Sequence, residues 1–113
     1  EVWLADLNPR VGTEAGKMRP VLIIQDQILL DIKHPSTLII PLTTNLINDA
    51  EPLRIRIKAY NKLEKDSDLL VDQIRAIDNK RLNMGPLTKC DENFMRKVHK
   101  AILEVMGIKA EIN

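Results

Sequence analysis

Pro52-Leu53-Arg54-Ile55-Arg56-Ile57-Lys58 is the stretch on which the fold turns. Leu53, Ile55 and Ile57 alternate with Arg54, Arg56 and Lys58, so an extended chain here has one apolar side and one row of cations. A helix would scatter these residues around its circumference, whereas a strand sorts them into two faces. The segment therefore reads as a half-buried strand opened by Pro52. Its cationic row reads as a solvated strand face.

The neighbouring segments belong to the same class. Downstream, Asp68 to Gln73 centres on Leu69-Leu70-Val71, and Ile74 to Ile77 continues that strand or starts the next. Asp78 to Leu82 has the length of one helical turn. Upstream, Ser36 to Pro41 is rich in β-branched residues. Thr43-Thr44-Asn45 reads as its end passing into a loop. Gln25 to His34 holds Ile28, Leu29, Leu30 and Ile32, enough for a short helical turn that Pro35 stops. Pro20 to Gln25 is a continuous apolar run of the kind found in buried strands. Glu1 to Asp6, with Val2, Trp3 and Leu4, forms the first strand, and the Asn8-Pro9 pair ends it.

The end of the chain changes period. Phe94, Val98, Ala101, Ile102 and Val105 recur every three or four residues, which is the apolar stripe of an amphipathic helix over about 91–106. Thr88 or Asp91 can cap its start, and Gly107 suits its end. Short strands at close spacing followed by one helix predict a mainly β (β plus α) fold, a small and strongly curved barrel with a C-terminal helix. Residues 1–113 are read as a single domain.

Composition narrows the function classes. Of 113 residues, 44% are hydrophobic and 29% charged, which is a globular balance, and aromatics at 3% leave the core to Ile, Leu and Val. Net charge is +1, so any basic surface must come from local clustering. Cys90 stands alone, which rules out an intrachain disulfide and multi-cysteine metal sites and fits a reducing compartment. No apolar run approaches the ~20 residues that span a bilayer. No signal-peptide pattern is read at the start, so the expected location is the cytoplasm. His34 and His99 have no spacing to other ligands, and no zinc site is expected. Phosphate-loop and dinucleotide fingerprints are missing, as is a serine in a nucleophile-elbow context.

What can carry chemistry sits at strand ends and loops. Gly12-Thr13-Glu14-Ala15-Gly16-Lys17-Met18-Arg19-Pro20 frames a carboxylate between two glycines and places a guanidinium just before a buried strand. Pro20 holds Arg19 extended. Thr43 and Thr44 follow the third strand, and Asp72, Gln73 and Arg75 follow the fifth. Brought together, a guanidinium, a hydroxyl and a carboxylate could work on a phosphodiester. Each also has a plainer reading: Arg19 paired with a surface carboxylate, the threonines ending a strand, Asp72 and Arg75 as a structural ion pair.

In combination these segments resemble the MazF/PemK family of bacterial toxin endoribonucleases. Val2-Trp3-Leu4-Ala5-Asp6-Leu7-Asn8-Pro9 is similar to the family's opening strand and turn, and the run from Gly12 to Ile24 to its first loop and second strand. Pro41-Leu42-Thr43-Thr44 resembles its proline–aliphatic–threonine segment. Asp68 to Asp78, with Lys80-Arg81-Leu82, resembles its late strand block. The resemblance implies an SH3-like or CcdB-like barrel in a homodimer, and metal-independent, cofactor-free cleavage of single-stranded RNA at short specific sequences. Attack by the 2′-hydroxyl would leave a 2′,3′-cyclic phosphate and a 5′-hydroxyl. It implies a growth-inhibiting toxin with a cognate antitoxin, and DNA binding by the toxin–antitoxin complex. By motif position the catalytic residues would be Arg19, Thr43 and Glu14. Lys17, Thr44, Asp72, Gln73 and Arg75 would contact RNA.

An arginine with a pKa above ~12 is a poor base, so Arg19 is expected to stabilise charge and Glu14 to act as base or orient Arg19. The competing expectation is a non-catalytic toxin of the same fold that binds a protein such as DNA gyrase through the chain end, Met106 to Asn113. A degenerate toxin kept as an antitoxin-binding scaffold is a third.

Overall fold

Strands that are apolar on both sides must lie between two packed layers. In the computed structural model, which describes residues 1–8, 12 and 17–108, the central strands do so. The strands are β1 (Val2–Asp6), β2 (Met18–Ile23), β3 (Ser36–Thr43), β4 (Arg54–Ile57), β5 (Ser67–Leu70), β6 (Arg75–Asp78) and β7 (Leu82–Thr88). A short helix α1 (Gln27–Asp31) joins β2 to β3, and α2 (Glu92–Val105) ends the fold. Single 3-10 turns occupy Val71–Gln73 and Asn79–Arg81.

Hydrogen bonding runs in the order β4-β5-β3-β2-β1-β7, with β6 also pairing β3. Every ladder is antiparallel. β3 pairs one edge with β2, and along its other edge pairs β6 through Ser36–Ile39 and β5 through Leu42 and Thr43. The resulting wall is β-rich and followed by a helix, as expected, but it is not a closed barrel. β4 and β7 end the order and share no ladder. Across that gap the Lys62 amide donates to the Leu87 carbonyl at 2.9 Å.

Alternate residues feed two cores. Val2, Leu22, Ile40, Leu42, Ile55, Leu69, Val71 and Leu87 form the larger one, closed by Val98 and Ala101 of α2 with Phe94, Ile102 and Val105 beside them. Ala5, Leu7, Val21, Ile39, Leu70 and Ile77 form the smaller one, flanked by Trp3, Ile23 and Leu82. Adjacent residues such as Val21 and Leu22 thus point to opposite cores, which explains the continuous apolar runs. The stripe of α2 meets the sheet as its spacing predicts. Asp91, not Thr88, caps it by accepting from the Phe94 amide at 2.8 Å, and Thr88 is the buried last residue of β7.

Several expected boundaries move. β2 begins at Met18, and β3 runs on to Thr43. Leu53 is half exposed in a turn ahead of β4. β5 is short, Val71–Gln73 turns, and Arg75–Asp78 is a separate strand. β7 is not anticipated from its sequence, because Gly85-Pro86 reads as a break. It is tolerated here since β7 is a sheet edge, and the β1–β7 register shifts twice along it. Gly85 lies against the Trp3 indole, where any Cβ would overlap the ring.

Candidate active site

Arg19 and Thr43 come together because β2 and β3 are antiparallel neighbours. The ladder ends with Val21 across from Pro41; its register carried two residues further sets Arg19 toward Thr43, on the same face by strand alternation. Both are half-buried. Arg19 Nη1 donates to the carbonyl of Leu42, the residue before Thr43, at 3.2 Å. That bond aims the guanidinium at the end of β3. Thr43 Oγ1 accepts from the Asn45 amide at 3.2 Å. Because the hydroxyl oxygen is used as an acceptor there, its proton can be donated elsewhere.

Arg75 belongs to the same face. It pairs with Ile39, four residues before Thr43, or about 13 Å along the strand. Gln73 is half-buried and Asp72 exposed on the turn just before it. Thr44, by contrast, turns to the other side. It lines a cleft of about 300 Å³ with Leu4, Pro20, Leu63 and Leu87, on the side of the larger core. The structure therefore does not bring Thr44 beside Arg19, for the reason that successive strand residues alternate.

Glu14 lies outside the described residues, as does chain-end segment 109–113. The base of the loop that carries Glu14 is described and well tied. The Leu7 amide donates to the Lys17 carbonyl at 2.9 Å, and the Lys17 amide donates to Asn8 Oδ1 at 2.8 Å. Arg81 Nη1 adds a bond to the Asn8 carbonyl at 2.9 Å. Lys17 itself is exposed with φ +70°.

The cationic row of β4 is where the sequence reading is corrected. Arg54 and Arg56 are not a solvated face: both close on Asp68, whose side chain is 1% exposed. Arg56 Nε meets Asp68 Oδ1 at 2.6 Å, and Arg54 Nη1 meets Oδ2 at 3.4 Å. The Ile47 amide donates to the same Oδ2 at 2.9 Å. Burial pushes the Asp68 carboxyl up, but the hydrogen bonds from Arg56, the Ile47 amide and Arg54 outweigh it and hold the group below the usual carboxylate range. The Asp68 hydrogen bond pushes the Arg56 guanidinium further up. Only Lys58 keeps the expected exposure, at 80%. The available signal is a carboxylate directly before the apolar run Leu69-Leu70-Val71, in a segment that is buried throughout.

A cleft of about 670 Å³ lies behind this cluster, lined by β4 and residues 47–51. Asp49, Glu51 and Asp68 offset its two arginines, so its chemistry does not favour a phosphate. Among the described residues no group of His, Cys, Asp and Glu side chains could hold a metal ion. Burial pushes the Cys90 thiol up, which keeps it protonated and poorly nucleophilic. Among the described residues no helix is long and apolar enough to cross a membrane.

An antiparallel sheet with a terminal helix is the architecture that comparison with known proteins returns. The model of the PemK-like, MazF-like toxin of type II toxin-antitoxin systems matches residues 1–106. Endoribonuclease MazF of Staphylococcus saprophyticus is 40% identical over 110 residues, covering 96% of this chain and 89% of the relative. Among solved structures, Mycobacterium tuberculosis toxin MazF-mt6 superposes with a TM-score of 0.78 at 19% identity, covering 96% of this chain and 98% of that one. An endoribonuclease in complex with its cognate antitoxin from a mycobacterial species gives 0.73 at 17% identity, covering 97% and 94%. This chain belongs to the PemK-like, MazF-like toxin family.

Proposed function

We infer that this chain is the RNA-cleaving toxin of a type II toxin–antitoxin system, acting on single-stranded RNA in the cytoplasm as a homodimer and restrained by an antitoxin. Membership of the family and 40% identity to an endoribonuclease MazF support the activity. The observation that carries the site assignment is the hydrogen bond from Arg19 Nη1 to the carbonyl of Leu42, the residue before Thr43.

The chemistry follows from the groups. The RNA 2′-oxygen attacks phosphorus as its proton leaves to a base, and the P–O5′ bond breaks as O5′ takes up a proton. Arg19 neutralises the charge that builds on the phosphoryl oxygens, and Thr43 donates its hydroxyl proton to one of them. Glu14 serves as the base or as the group that orients Arg19. Lys17, Arg75, Gln73 and Asp72 contact RNA further from the bond that breaks; Thr44, on the other side of the sheet, is the outlying member of the set. In this scheme Arg19 also gives the proton that the leaving O5′ takes up, and no metal takes part.

The test is cleavage of a long single-stranded RNA in EDTA, with mapping of the new ends. Cyclic-phosphate and 5′-hydroxyl ends at recurring short sequences are expected, and Arg19→Ala should abolish them. Persistent failure of the wild-type protein on varied RNAs, combined with inhibition of DNA gyrase, would instead place it with the non-catalytic toxins. Glu14→Gln should remove the acidic limb of the pH–rate profile if Glu14 is the base; an unchanged profile leaves it only an orienting role.

A further inference from the structure

The Asp68 cluster sits one strand away from Thr43, on the side opposite Arg19. Thr43 pairs with Asp68 in the β3–β5 ladder. Side chains from β4 reach from that carboxylate into the loop that follows Thr43. Arg54 Nη1 bonds Asp68 and also donates to the Asn45 carbonyl at 2.8 Å. Arg56 Nη2 donates to Asn48 Oδ1 at 2.9 Å, and Asp68 itself accepts from the Ile47 amide. Both backbone polar groups of Asn45 are thus held, its carbonyl by Arg54 and its amide by Thr43 Oγ1.

Resting on the site reading above, we propose that Asp68 and Arg54 are positioning residues for Thr43: they fix Asn45, and Asn45 fixes the direction in which the Thr43 hydroxyl donates. Several features favour this over a merely structural ion pair. A strand-end threonine can take more than one staggered rotamer. The bond from the Asn45 amide selects the one whose oxygen faces the loop, and that amide stays in place only while the loop does. Loops of this length are ordinarily mobile. Here the buried carboxylate ties the loop directly at Ile47 and through guanidiniums at Asn45 and Asn48. Arg54 is also ill placed to be a phosphate contact, because it is already spent on a carboxylate and a carbonyl in a cleft with further acidic residues.

Displacing a catalytic group by about an ångström can cost on the order of a hundredfold in rate. The experiment is steady-state cleavage of a short fluorogenic RNA by Arg54→Ala, Arg54→Lys and Asp68→Asn, each also in a Thr43→Ala background. Arg54→Ala and Asp68→Asn should lower kcat by about ten- to a hundredfold with KM within about twofold. Arg54→Lys, which keeps a cation in reach of Asn45, should recover most of the loss. In the Thr43→Ala background neither change should cost anything further, because the group they position is gone. Should Asp68→Asn fail to fold, the half-buried Arg54 variants carry the same test, with circular dichroism confirming a folded chain. A rise in KM at constant kcat would make Arg54 an RNA contact and overturn the proposal, as would losses that simply add to that of Thr43→Ala. Wild-type activity in Thr43→Ala overturns it differently, by removing the site assignment itself.

Discussion

Two faces of one sheet are built from alternate residues of the same strands, yet they are finished in different ways. The face that carries Leu22, Ile40 and Leu42 is closed by α2, whose Val98 and Ala101 complete the larger core. The face that carries Val21 and Ile39 receives no residue of α2, and at its end the strands present Arg19, Thr43 and Arg75. Burial at both faces supplies stability. Only the second also presents polar groups, aimed by the rigid backbone that results. Truncation under α2 should therefore cost stability alone, and loss of Arg19 or Thr43 chiefly activity.

Arg19→Ala is the sharpest way to break that division. Loss of a charge-stabilising donor should reduce cleavage by on the order of a thousandfold, while the unfolding midpoint in urea stays close to wild type. A large fall in stability would mean that Arg19 belongs to the structure rather than to the chemistry. On the opposite face, Leu22→Ala should cost about 3 kcal/mol by opening a cavity under α2. Cleavage per folded molecule should then be unchanged at low temperature.

Gly85→Ala tests the join between β1 and β7. The new methyl meets the Trp3 ring, and chemical denaturation should show a loss of about 2 kcal/mol. Removing the cap of α2 with Asp91→Ala should cost about 1 kcal/mol and leave cleavage untouched. The smallest effect is a pH dependence. The carboxyl of Asp68 is held lower in the folded chain than in the unfolded one. Its contribution is therefore complete above about pH 4 and fades as pH falls through the folded value. The stability gap between wild type and Asp68→Asn should narrow between pH 7 and pH 3. A gap that stays constant would show that the charge of Asp68 is not what holds Arg54 and Arg56.

Local pattern carried much of this. The period of α2, the apolar runs of β2 and β3, and the alternation in β4 are each visible within a few residues, because burial on one or two faces imposes its own spacing. The order of motifs along the chain was enough to suggest the family, and with it Arg19 and Thr43. β7 was hidden because Gly85-Pro86 is a break by local rules and acceptable only at a sheet edge. The relation of Arg54 and Arg56 to Asp68 was hidden because alternation says which face a side chain is on, not what it will meet there.

Periodicity along the chain thus marked β1 to β5 and the terminal helix, which depend on neighbours in sequence, and resemblance to the family supplied the roles of Arg19 and Thr43. Only the tertiary structure decided that β2 and β3 lie side by side, that Thr44 faces away from Arg19, and that a cationic strand face folds onto one buried carboxylate. Those outcomes depend on strand order and register, which bring together residues far apart in the chain.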